Sequence, residues 1–240
     1  MVYQWFKSVQ SALWGSPCVC CGMHAGRALH LCAGCEADLP ALSRVCRLCA
    51  TPLPGGDGVC GRCIRRPPPQ DAAFAGFAYR FPIPRLVTGF KYEQQLHLGA
   101  VLGELFLHRM LESAPPRPDL LLPVPLHGRR LRERGFNQSL ELARTLARGM
   151  DLPCAPALAR RIRPTLAQAG LSPVQRRRNI RGVFAVDPSV VGMRVAIVDD
   201  VMTTGSTAGE LVRALKTAGA ARVDIWVLAR AVHGVHDAVP

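Results

Sequence analysis

The 240-residue sequence is short of negative charge. Its 17 Asp and Glu stand against 30 Lys and Arg, for a formal net charge of +13. Such an excess favours phosphate-rich partners, namely nucleotides, phosphorylated sugars or nucleic acid, although an arginine-rich solvated surface gives the same total. Aromatic residues are also scarce, at 6%, which leaves few stacking platforms for single-stranded DNA. No run approaches the ~18 to 20 apolar residues that a membrane span needs. The first residues lack the basic start, long apolar run and small-residue cleavage site of an export signal. Val2, Phe6, Val9 and Leu13 instead share one helical face, giving a short amphipathic helix that docks on the protein or lies on a membrane surface. The expected location is cytoplasmic, where thiols stay reduced and bind metal more often than they pair.

Cysteine is almost absent beyond residue 64: of ten, only Cys154 lies there. It sits near Pro153 and Pro156 and reads as a small buried apolar residue. Residues 65–70, RRPPPQ, read as a stiff proline-rich linker. The organisation expected is an N-terminal helix and Cys-rich module over 1–64, the linker, and an α/β body over 71–240. Apolar residues make up 49% of the chain, enough for a substantial core.

Within the module, Cys18, Cys21, Cys32 and Cys35 recur as Cys46, Cys49, Cys60 and Cys63, each displaced by 28 positions. Both halves read C-x₂-C-x₁₀-C-x₂-C. Each C-x₂-C turn aims two thiolates at one ion, and two turns complete the closed tetrahedral set of structural zinc. So short a segment cannot bury enough surface to fold unaided, so metal contributes on the order of 10 kcal/mol per site. Four sulfur ligands leave no vertex for water, which makes the zinc structural. Cys20 breaks the repeat and is spare. Spacing alone does not separate sequential from cross-brace grouping; sequential grouping is favoured because each half is self-sufficient.

The body alternates apolar strand candidates with amphipathic helices. Residues 119–124, 194–198 and 223–228 read as strands buried on both faces, and 98–111, 137–150 and 208–218 as helices. The alternation predicts βαβ units and a flavodoxin-like parallel sheet of four or five strands flanked by helices.

The sharpest chemistry lies in residues 195–207, VAIVDDVMTTGST. An apolar strand delivers Asp199 and Asp200 at its carboxyl end, where ligands of open α/β sheets bind. The turn Thr203, Thr204, Gly205, Ser206 and Thr207 then opens into a helix, whose N-terminal N–H groups and dipole favour phosphate. The acids would repel that phosphate, and fit instead the hydroxyls of an attached sugar or a magnesium ion. No Gly-Lys-Ser/Thr closes the loop, so it is not a Walker A motif.

This run resembles the ribosyl-diphosphate signature of type I phosphoribosyltransferases. Together with the double Cys repeat, PVPLHGRRLRERGFNQS (123–139) and QRRRNIRGVF (175–184), it resembles the ComF family of competence and DNA-utilisation proteins over nearly the whole chain. The resemblance implies that Asp199 and Asp200 hold the ribose hydroxyls of 5-phosphoribosyl 1-diphosphate and that 203–207 hold its 5-phosphate. It also places a diphosphate loop at Gly128, Arg129 and Arg130.

Beside that loop, Gly128, Arg129 and Arg130 read as a turn that neutralises a departing diphosphate. His127, with no visible partner, reads as a surface residue. Lys91 touches diphosphate or is an ordinary surface lysine, and Asn137 caps the next helix or binds ligand. Residues 160–181 carry seven arginines, among them Arg176, Arg177 and Arg178, in a long loop that serves as a lid or a nucleic-acid contact. Two functions stay open: a phosphoribosyl-transferring enzyme using Mg²⁺, and a factor that binds single-stranded DNA or DNA-uptake proteins and uses the fold for binding or sensing. No residue set selects an acceptor, and the sequence gives no oligomeric state.

Overall fold

The computed structural model describes residues 17–27, 29–55, 58–92, 95–163 and 182–232. Among these, four parallel strands form the central sheet: β1 (Ala72–Ala78), β2 (Leu120–Pro123), β5 (Arg194–Met202) and β6 (Arg222–Arg230), in the order β1-β6-β5-β2. All four are almost wholly buried, as expected of a parallel sheet covered on both faces. The order departs from the flavodoxin-like expectation, in which the first strand is internal. Here β1 lies at the edge and pairs only with β6.

Three helices, α3 (Ile83–Tyr92), α4 (Leu96–Ser113) and α6 (Gln138–Met150), contribute to one apolar cluster. Helix α7 (Ser206–Thr217) contributes to a second cluster, with Val195, Ile197 and Ile225 of the sheet. Helix α4 packs closely on its neighbours because small residues face them. A Cβ at Gly99 would lie 2.5 Å from the Phe90 ring of α3, and one at Gly103 would lie 2.8 Å from Thr145 of α6.

The expected helices and strands are present with shifted ends. The largest change is in β5, which runs through Met202, so both acids lie inside the strand. Three features escaped the sequence: β1 with α3, a short helix α5 (Gly128–Arg134), and a two-stranded antiparallel ribbon of β3 (Ala159–Arg161) and β4 (Phe184–Val186). The ribbon corrects the expectation of an irregular loop from residue 160, since Arg160 and Arg161 are paired strand residues. Cys154 is half-buried, not fully buried, and its backbone bridges to Leu121. The expected N-terminal helix, with Val2, Phe6, Val9 and Leu13, lies outside the described residues.

The Cys-rich module carries two single-turn helices, α1 (Ala33–Ala37) and α2 (Gly61–Arg65), and packs along the free edge of β1. Leu42 N–H donates to Gly76 O at 3.0 Å, Ala78 N–H to Pro40 O at 2.8 Å, and Ala73 N–H to Arg47 O at 2.8 Å. An edge that would otherwise invite pairing with another chain is thereby covered. Residues 65–70 are anchored at both ends: Arg65 ends α2, and buried Gln70 donates to Leu48 O at 2.6 Å.

Candidate functional site: two thiolate centres and an acidic strand end

The eight repeat cysteines gather sequentially, Cys18, Cys21, Cys32 and Cys35 in one group and Cys46, Cys49, Cys60 and Cys63 in the other. Within each group the sulfur atoms lie within 4.8 Å of one another. Cys21 and Cys32 Sγ are 3.9 Å apart, and Cys49 and Cys60 Sγ 3.7 Å. Tetrahedral zinc with Zn–S bonds of about 2.3 Å requires S···S near ~3.8 Å. Backbone donors repeat as well: Cys32 N–H points at Cys18 Sγ (3.4 Å) and Cys60 N–H at Cys46 Sγ (3.3 Å), which stabilises thiolates. The donor sets fit structural zinc. Cys20 is outside both groups.

At the other end of the molecule's chemistry, β2 ends beside β5, with Val124 N–H donating to Val198 O at 2.9 Å. The next two residues are the acids. Asp199 Oδ1 accepts from Ser139 Oγ at 2.8 Å and from Asp200 N–H at 3.0 Å. Burial, then the charge of Asp200, pushes the Asp199 carboxyl up to about 7, against the Ser139 hydroxyl and Lys91. Asp200 is 5% exposed; its Oδ1 accepts from Val201 N–H and its Oδ2 pairs with the Lys91 ammonium. Burial alone would drag the Lys91 ammonium down; Asp200 reverses this, and its net shift is upward.

The turn after β5 leads straight into α7. Gly205 is the N-cap at φ 74°, a left-handed conformation that glycine adopts without strain. Ser206 N–H donates to Thr204 Oγ1 at 3.3 Å, and the Thr204 and Ser206 hydroxyls are 2.8 Å apart. Thr203 is exposed and Thr207 half-buried. Gly205 therefore shapes the turn, and the hydroxyls organise the helix start.

Gly128, Arg129 and Arg130 form the first turn of α5, not the open turn that the sequence indicates. His127 caps it by accepting from Arg129 N–H at 3.3 Å, so this residue has a structural partner after all. Arg129 reaches along its own helix to Glu133 at 2.9 Å. Arg130 instead lines a cavity of about 340 Å³ with Lys91, Tyr92, Glu133 and Arg134. Arg134 stacks over the Tyr92 ring at 4.8 Å and donates to its hydroxyl at 3.0 Å. A second cavity, about 460 Å³, has the apolar Leu126, Leu131 and Phe136 in its wall with Arg160 and Arg161. Burial, then the like charge of Arg130, pushes the Arg161 guanidinium down, against the opposite charge of Asp199. Asn137 caps α6 by accepting from Ser139 N–H at 3.1 Å and donates to Val124 O at 3.1 Å. Arg176, Arg177 and Arg178 lie outside the described residues.

Two participants escaped the sequence. Ser139 closes the run 123–139, and its hydroxyl meets Asp199 only through the fold. The signal for Arg230 is a cation that closes the apolar run IWVLA of β6.

A double zinc ribbon followed by an α/β unit of phosphoribosyltransferase type is the class that these features define. The phosphoribosyl transferase domain family matches residues 137–237, and the double zinc ribbon domain family matches residues 9–64. The chain is 32% identical over 208 residues to competence protein F of Haemophilus influenzae, covering 84% of this chain and 90% of that protein. It is 36% identical over 171 residues to the DNA utilization protein YhgH of Salmonella typhi, covering 70% and 75%. The chain belongs to the ComF family of competence and DNA-utilisation proteins. Among solved structures, the allosteric regulatory enzyme of purine biosynthesis is 22% identical with a TM-score of 0.36, over 52% of this chain and 24% of that one. Among the described residues no helix is long and apolar enough to cross a membrane.

Proposed function

We propose that the chain binds 5-phosphoribosyl 1-diphosphate with Mg²⁺, in the cytoplasm, and transfers or processes its phosphoribosyl group in competence or DNA utilisation. One observation carries the reading. The acids of β5 and the hydroxyl-lined turn that heads α7 are consecutive in one strand–turn–helix, while Lys91, Arg130 and Arg134 share a cavity with Lys91 already at Asp200. The turn would take the 5-phosphate on the N–H groups of α7, and Asp199 and Asp200 the ribose hydroxyls. Mg²⁺ would enter with the diphosphate and neutralise its charge, and the carboxylate oxygens are suitable hard donors for it. Arg130 and Lys91 would draw off the diphosphate as the anomeric bond opens toward an oxocarbenium-like centre. Lys91 would then exchange Asp200 for substrate oxygen.

Titration with phosphoribosyl diphosphate and Mg²⁺, wild type against Asp199→Asn/Asp200→Asn, tests this. Saturable binding lost in the double variant supports it; unchanged binding in the variant, or none in wild type, defeats it. The second reading, single-stranded DNA binding, draws on the +13 charge and on the names of the relatives. DNA affinity that falls steeply with salt and ignores the acidic substitutions would favour it; salt-insensitive or absent affinity would exclude it.

A further inference from the structure

Arg230 ends β6 and is 5% exposed, yet its guanidinium meets no carboxylate among the interactions described. Nε donates to Cys49 O at 2.8 Å, and Nη2 reaches Thr51 Oγ1 at 3.4 Å. Nη1 donates to Met202 O at 2.8 Å, to Ala231 O at 2.7 Å and to Thr203 O. One side chain thus joins two places that the sequence keeps far apart. The first is the turn that carries Cys49, a sulfur of the second ribbon centre, whose Sγ lies 3.3 Å from Thr51 Oγ1. The second is the backbone at which β5 becomes the hydroxyl-lined turn.

A buried guanidinium bonded only to neutral oxygens carries an uncompensated charge, which is costly. Its Nε hangs from the carbonyl of Cys49, whose sulfur belongs to the second four-sulfur set. Four thiolates around one Zn²⁺ amount to a net dianion. With metal in place, the second ribbon supplies the counter-charge that Arg230 lacks. It also fixes the Cys49 carbonyl from which Arg230 is hung. Among the described residues the first ribbon centre shows no equivalent: its residues pack into the apolar cluster of α3, α4 and α6.

We propose that Arg230 is a positioning residue that makes the shape of the 203–207 turn depend on metal in the second ribbon centre, and not on metal in the first. The inference that the turn is tied to this metal stands alone; its consequence for affinity rests on the phosphate-binding reading above. Because coupling is reciprocal, anion bound at the turn must in turn strengthen retention of the second zinc.

Amide hydrogen exchange reads the turn without any ligand. In Arg230→Met, and in Cys60→Ser of the second centre, amides of 203–207 are expected to exchange about tenfold faster. Cys32→Ser, the repeat-equivalent change in the first centre, should leave them as in wild type. Arg230→Lys keeps the buried charge but cannot bridge the separated carbonyls, so it should fold where the Met variant fails and still loosen the turn. Phosphoribosyl diphosphate should slow chelator release of one of two zinc ions about tenfold in wild type, and of neither in the Arg230 variants. Unchanged exchange at 203–207 in an Arg230 variant that retains both zinc ions would overturn the proposal. So would equal loosening by Cys60→Ser and Cys32→Ser. If exchange responds as stated but wild type binds no phosphoribosyl diphosphate, the linkage holds and the proposed ligand falls.

Discussion

Asp199 holds its carboxyl proton up to about 7, while an unfolded aspartate releases it near 3.8. The sign follows: the folded state binds the proton more tightly, so the contribution to stability is complete below the ordinary Asp range and is lost as pH rises through about 7. Wild type should therefore lose stability relative to Asp199→Asn between about pH 4 and pH 8, as followed by urea unfolding at each pH. Ligand affinity should run the other way and rise through the same window, because the ionised carboxylate accepts hydroxyl hydrogens more strongly, and with both oxygens, than the protonated acid. A flat affinity profile would remove Asp199 from the ligand. Beside it, Lys91→Met strands the buried Asp200 charge and should cost about 3 kcal/mol. Adding Asp200→Asn should restore more than half of that loss in a double-mutant cycle. Asp199, Asp200 and Lys91 were visible in the sequence as candidates, but the partners Ser139 and Arg230 were not. Ser139 lies 60 positions from Asp199, and Arg230 lies 181 from Cys49, distances that only topology closes.

At the scale of elements, legibility follows how local the cause is. The C-x₂-C turns were plain because metal ligation is written in a few residues, and β5 with α7 because an apolar run and a helical stripe adjoin. Helix α5 was hidden: GRRLRER offers one apolar residue, and what holds it is a cap at each end, His127 and the left-handed Gly135. Helix α3 was hidden differently, since its role depends on α4 lying close against it. Gly99 permits that approach. Gly99→Ala would press a methyl group into the rigid Phe90 ring, next to Lys91, at an expected cost of about 1–3 kcal/mol. Thermal unfolding would measure it, and a compensating Phe90→Leu should recover part of the loss. No loss in Gly99→Ala would mean that α3 is free to shift.

For the molecule as a whole, the sequence divides where the structure does not. The composition break at residue 64 is real, yet backbone hydrogen bonds from Leu42, Ala73 and Ala78 cross it, as do side-chain bonds from Gln70, Arg109 and Arg230. The two parts share one boundary that is hydrogen-bonded like an interior. A protease that severs the backbone within 65–70 should accordingly release nothing. The nicked halves should travel together through a sizing column and separate only in denaturant, as the pieces of a cut knot stay tied while the crossings hold.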